Sequence, residues 1–183
     1  MGVGDLIMAT QIHLSKIYIY NTDIFEQIDY TFKNKQSTHI IIPNICTQLN
    51  KTTSGFSREL YKKYPVAEIN GSIGINNKKM CSNIIVQENK TTKAKIIVSN
   101  MYCQNIYQTD KRSLHYGRMV YCMYEIKQLI TNLKNEFPDF TTEIHSPKLG
   151  TGVAGGNWSL IEELITDIWG TSNVFIYNRL RKN

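Results

Sequence analysis

The chain has 183 residues, with 21 lysines and arginines against 15 acids and a formal charge of +6. A length of this order fills one ordinary domain with a complete core, and no stretch nears the roughly 18 consecutive apolar residues of a membrane span. The first sixteen residues lack a basic segment followed by a long apolar run, so the expectation is a soluble, cytoplasmic protein with no membrane partner.

In chain order, strand character begins with Ile12 to Tyr20 and returns at His39 to Ile42. Ser54 to Tyr64 reads as a helix that stops before Pro65. Val66 to Lys95 reads as an irregular or hairpin section containing a strand from Asn83 to Gln87, and Lys95 to Val98 is the next strand. Tyr116 to Phe137 is a long helix ending before Pro138, followed by a strand from Thr142 to His145. Ser159 to Trp169 has Leu160, Ile161, Leu164, Ile165 and Ile168 at helical spacing with acids between them. Ser159 or Asn157 is its cap and Gly170 its stop. Asn173 to Tyr177 is the last strand.

Three strand cores, Ile40-Ile41-Ile42, Ile96-Ile97-Val98 and Val174-Phe175-Ile176, are apolar without alternation, as in strands covered on both faces by helices. No linker, repeat or low-complexity tract divides the chain. The expectation is one layered α/β domain over residues 1–183.

Cys46, Cys81, Cys103 and Cys122 form no C-x-x-C pair, and His13, His39, His115 and His145 have no ligand spacing. No metal and no cofactor is expected. The lysines are scattered rather than gathered with aromatics, which disfavours nucleic acid as a partner and leaves a smaller anion.

Polar residues gather after the strand cores: Pro43-Asn44, Ser99-Asn100, Ser146-Pro147-Lys148-Leu149-Gly150 and Asn178. In α/β sheets ligands bind at strand C-termini, where loops enter helices whose free N–H groups attract anions. The strongest local signal is Gly150-Thr151-Gly152-Val153-Ala154-Gly155-Gly156, which joins a strand to a helix and can bring several amides close to a diphosphate. It lacks the lysine of a P-loop and the G-x-G-x-x-G spacing. Ser54-Gly55-Phe56, at the start of another helix, is the candidate facing wall.

Taken together, Ile40 to Cys46, Gly55-Phe56, Tyr64-Pro65, Val98-Ser99-Asn100-Met101 with Gln104, His145 to Trp158 and Val174 to Tyr177 resemble the macro domain family over roughly 12–180, in particular its phage and bacterial ADP-ribose-1''-phosphate phosphatase branch. The resemblance implies a three-layer α/β/α fold with a mixed, largely parallel central sheet, and ADP-ribose or a derivative held at the strand C-termini. It implies that Asp23 accepts from the adenine amino group while Ile24 lines the base, and that Tyr177 and Asn178 flank it. Ser54, Gly55 and Phe56 would form the first phosphate loop, and Gly150, Thr151, Gly152, Val153 and Ala154 the second. Asn44, Asn100 and Gln104 would supply polar groups near the distal ribose.

The catalytic positions depart from the family's pattern. Phosphatase-like relatives carry P-H-V-C-N where this chain has Pro43-Asn44-Ile45-Cys46-Thr47, and Ala154 stands where de-ADP-ribosylating relatives have Asp. Gln48 to Thr53 replaces the expected glycine and aromatic pattern of the first loop. His115 is a candidate acid that reads better as a helix cap. Two functions follow from the resemblance: hydrolysis of a distal-ribose phosphate or ester, with no catalytic residue assigned, and a non-catalytic module that reads or sequesters ADP-ribose or a cyclic derivative. ADP-ribosylated protein is a further partner class.

Overall fold

The computed structural model describes residues 16–47, 55–104 and 112–178. The elements run β1 (Ile17–Tyr20), α1 (Ile24–Asn34), β2 (Thr38–Thr47), α2 (Gly55–Lys63), α3 (Pro65–Asn76), β3 (Cys81–Glu88), β4 (Lys95–Gln104), α4 (Tyr116–Glu136), β5 (Thr141–Pro147), α5 (Trp158–Trp169) and β6 (Asn173–Tyr177). The strands form one sheet in the order β1-β6-β5-β2-β4-β3. Neighbours are parallel except β3, which runs antiparallel to β4.

The apolar runs at the sheet centre divide between two cores. Ile41 and Ile97 pack with Met119, Met123 and Ile126 of α4 and Ile161, Ile165 and Trp169 of α5. On the opposite face Ile40, Ile42, Ile96 and Val98 meet Ile24 and Ile28 of α1, Leu60 of α2 and Ala67 of α3. Successive residues of a strand point to opposite faces, so unalternating apolar runs require a helical layer on each side. The three-layer α/β/α arrangement with a mixed, largely parallel sheet follows directly.

Several expectations are corrected. Pro43-Asn44 and Ser99-Asn100 lie inside strands, because β2 and β4 continue side by side with Asn44 opposite Asn100. The section from Val66 is helix α3 as far as Asn76, and only then the hairpin of β3 and β4. Helix α1 follows β1, begun by Asp23, whose carboxylate accepts from the amides of Phe25 (2.8 Å) and Glu26 (3.1 Å). Of the two candidate caps of α5, Asn157 holds the position, accepting from Ser159 N at 3.0 Å. His115 caps α4, its Nδ1 accepting from Arg118 N at 3.3 Å. Among the described residues no helix is long and apolar enough to cross a membrane.

His39, in the buried part of β2, wedges its ring against Phe137 and Phe140, each 4.9 Å away, while Nδ1 accepts from Lys95 N at 3.2 Å. Burial, aided by the Lys95 charge and opposed by Glu136, pushes its pKa down to about 4. An unfolded histidine titrates near ~6.5, so between these values the unfolded chain binds a proton that the folded one refuses. This contribution is complete above pH ~6.5 and is lost as the pH falls toward about 4, a difference on the order of 3 kcal/mol. Urea midpoints followed across that range should fall for the wild type, and the fall should be shallower in His39→Leu.

Candidate functional site

Across the C-terminal ends of four parallel strands runs a cleft of about 330 Å³, within the range of small-ligand sites. Tyr177 of β6, Pro147 of β5, Asn44 and Ile45 of β2 and Gln104 of β4 form its floor. Gly55, Phe56 and Ser57, opening α2, stand on the side of the first helical layer, and Lys148 to Ala154 on the side of α5. One end is therefore aromatic and the other amide-lined. Phe56 stacks on Phe25 of α1 with centroids 5.7 Å apart and planes within 5°, which ties that wall to the start of α1.

The second wall is a folded turn. Gly155 N donates to Gly152 O (2.9 Å), Gly156 N to Gly150 O (2.8 Å), and Ser113 N and Leu114 N both reach Ala154 O (3.2 and 3.0 Å). The amides of Gly152, Val153 and Ala154 take no part in this backbone bonding among the described residues. Gly150 and Gly155 have φ of 70° and 68°, where a side chain is strained. At Gly156 a Cβ would come within 2.9 Å of Gly150 O, 2.7 Å of Leu114 and 2.8 Å of Ile161, whereas at Gly152 it would meet nothing within 4 Å. The turn is packed at its base and open at its tip, with Val153 73% exposed. Lys148 adds a positive charge at the rim, its ammonium 5.3 Å from the Trp158 ring.

Beneath the floor lies a buried polar network. Asn44 Nδ2 donates to Asn100 Oδ1 (2.9 Å) and to the Tyr61 hydroxyl oxygen (3.0 Å), with Cys46 Sγ at 3.2 Å. Ser57 Oγ donates to Asn44 Oδ1 (2.7 Å), Tyr61 donates to Asn100 Oδ1 (2.8 Å), and Asn100 Nδ2 donates to Ala67 O (3.0 Å). Burial pushes the Cys46 thiol up to about 12 and raises Tyr61 well above its ordinary range, so both stay neutral. Neither is an activated nucleophile.

Asn44, Gly55, Phe56, Gln104, Tyr177 and Gly150 through Ala154 come together on the cleft, as the sequence groups them. Asn100 does not line it; it is fully buried, with both ends of its amide engaged. Asp23 sits at the same sheet edge as an exposed helix cap, and Ile24 packs into the core beside it. Asn178 bonds Asn21 Oδ1 at 2.7 Å and its backbone N bonds Tyr20 O, closing the ends of β1 and β6. None of these three lines the cleft. Ser54 and the altered loop of Gln48 to Thr53 lie outside the described residues. Sequence reasoning missed Ser57, Ile45 and Lys148 as lining residues and Tyr61 as a network member. Lys148 and Ser57 directly adjoin the loops singled out, whereas nothing local marks Tyr61.

A mixed sheet between two helical layers, with a glycine turn over its C-terminal edge, defines a three-layer α/β domain. The chain has the macro domain fold. A macrodomain protein from Streptomyces coelicolor superposes with a TM-score of 0.63 at 18% identity, over 90% of this chain and 99% of that one. A Bacteroides thetaiotaomicron protein of unknown function gives 0.67 at 21% identity, over 89% and 98%. Thermosipho africanus DarTG in complex with ADP-ribose gives 0.62 at 13% identity, over 93% of this chain and 43% of that chain. No protein-family model and no curated protein sequence matches.

Asn44→Ala should lower stability by about 1–3 kcal/mol, because it removes a buried hydrogen-bonding partner of Ser57, Tyr61 and Asn100 at once. Ser57→Ala should cost less, since Asn44 keeps its other partners. Denaturant titration of the two variants side by side checks the order.

Proposed function

We propose that this chain binds ADP-ribose or a close derivative in the cleft, as a recognition module rather than a hydrolase. The observation that carries the reading is the second wall: a turn with an open tip whose Gly152–Ala154 amides are not used in backbone bonds among the described residues, set across the cleft from the start of α2. Such amides bind a diphosphate at little cost because they need no rearrangement. The aromatic floor at Tyr177 suits a base, and the amide of Gln104 at the other end suits a ribose. The solved complex of the Thermosipho africanus relative with ADP-ribose supports the choice of ligand.

The preference for recognition over hydrolysis rests on chemistry. Among the described residues the lining holds no carboxylate and no imidazole, and hydrolysis of a phosphomonoester or ester calls for a nucleophile, a positioned base or an acid. Asn44, where phosphatase-like relatives carry His, is committed to the buried network and titrates in neither direction. ADP-ribosylated protein is the larger ligand that the same recognition would extend to.

Calorimetric titration with ADP-ribose and ADP-ribose-1''-phosphate, followed by chromatography of each mixture, tests both parts. Binding with both ligands recovered intact is the expected result. Phosphate release would establish a hydrolase instead, and absence of binding to either would overturn the ligand assignment. Gly152→Val should leave stability within about 0.5 kcal/mol of wild type, since the side chain meets open space. It should nevertheless weaken ADP-ribose binding roughly tenfold or more by projecting where the diphosphate would lie.

A further inference from the structure

A second buried polar chain runs beneath the aromatic end of the cleft. The exposed Lys35 ammonium meets Glu143 Oε1 at 2.8 Å, Glu143 Oε2 meets His145 Nε2 at 3.0 Å, and His145 Nδ1 meets the Tyr177 hydroxyl at 2.8 Å. Glu143, His145 and Tyr177 are 4%, 1% and 2% exposed. Tyr177 lines the cleft and the other two do not. The chain therefore starts at the protein surface and ends on the ligand floor.

The hydrogen positions follow from the partners. Burial favours a neutral Glu143, but the hydrogen bonds from His145 and Lys35 outweigh it and hold the carboxyl below its ordinary range. An ionised carboxylate only accepts, so His145 must carry its hydrogen on Nε2. In the neutral imidazole Nδ1 is then bare and can only accept, and the Tyr177 hydroxyl is the donor to it. The hydroxyl is thereby turned toward a residue outside the cleft, and its hydrogen is spent. The rings reinforce the arrangement: His145 lies 5.7 Å from Tyr177 at 16°, Tyr20 lies 5.9 Å from Tyr177 at 23°, and Phe175 stacks on His145 at 4.9 Å.

We propose that His145 is a positioning residue for the ligand site, its tautomer set by Glu143, and that it holds the Tyr177 side chain in place on the cleft floor with its hydroxyl turned away from the ligand. The inference rests on the reading of the cleft as an ADP-ribose site and specifies which side chains prepare its base end. Its energetic form is preorganisation: a ring already anchored loses little freedom when the base arrives.

Two measurements on the full chain test it. Nitrogen NMR of the histidine rings should show His145 in the Nε2–H form with a hydrogen-bonded Nδ1. The Nδ1 resonance should move toward that of a free imidazole nitrogen in Tyr177→Phe, and Glu143→Gln should admit the other tautomer. This readout needs no ligand. Calorimetry should then give a roughly three- to tenfold loss of affinity for ADP-ribose in Tyr177→Phe, the value of one hydrogen bond. The same fractional loss is expected with AMP, which keeps the base and lacks the distal ribose. His145→Phe should lose a similar factor, and the double variant should lose little more than either single one, because both remove the same bond. If His145→Phe does not fold, Tyr177→Phe and Glu143→Gln carry the test. The Nδ1–H tautomer in the wild type, variants that bind like the wild type, or losses that multiply in the double variant would overturn the proposal. A wild-type protein that binds neither ADP-ribose nor AMP would instead overturn the ligand assignment, with the tautomer still judged by NMR.

Discussion

The hydrogen bond between Asn44 and Asn100 is the joint on which the rest of the site depends. It spans β2 and β4 at the register where both strands leave their apolar cores. An amide removed from water must find its partners inside the protein, and a fully satisfied set specifies one arrangement while a partly satisfied one is costly. Here the partners come from elsewhere in the fold: Ser57 and Tyr61 from α2, and the Ala67 carbonyl from α3. The start of α2 is consequently hung from the sheet at a fixed height, and that start is one wall of the cleft. The shape of the cleft on this side is a by-product of how the core satisfies two amides.

The parts of the fold that were legible in the sequence are those where one force dominates. Unalternating isoleucine and valine runs announce strands buried on both faces, and the leucine and isoleucine stripe of α5 announces an amphipathic helix. Legibility fails where tertiary contacts set the local outcome. Helix α3 contains Gly71 and Gly74, residues of poor helix propensity. In the fold they are contact points: a Cβ on Gly71 would come within 2.6 Å of Asn100 Nδ2, and one on Gly74 within 2.9 Å of Ser82. The glycines are there so that the helix can approach the sheet, and the packing outweighs their poor propensity. The polar ends of β2 and β4 were read as loops for the same kind of reason, since the partners that allow Asn44 and Asn100 to stay in strands are distant in sequence.

The site divides along the same line. The glycine turn was legible because its function is carried by the backbone, and glycine composition reports on backbone directly. The roles of Asn44 and Asn100 were not, because whether an amide faces ligand or core depends on which side of the sheet it leaves from and on what waits there. Asp23, which the resemblance makes a base acceptor, caps α1 in the fold and does not line the cleft. The electrostatics of the cleft follow suit. Apart from Lys148 at the rim, the described lining of the cleft carries no charged side chain, so its polarity comes from amides and depends on the loop's shape more than on the chain's net charge.

The absence of room at Gly156 bears on how such a cleft can change over generations. Leu114, Ile161 and the Gly150 carbonyl occupy the volume that any side chain there would need, and two of these belong to other segments of the chain. A mutation at this position is not a local event; it becomes acceptable only in a background where the neighbouring strap or helix has already shrunk. The tip at Gly152 is under no such restriction. Change in the shape of the cleft is thus channelled to the outer rim of the turn, while its base drifts only as a coordinated block.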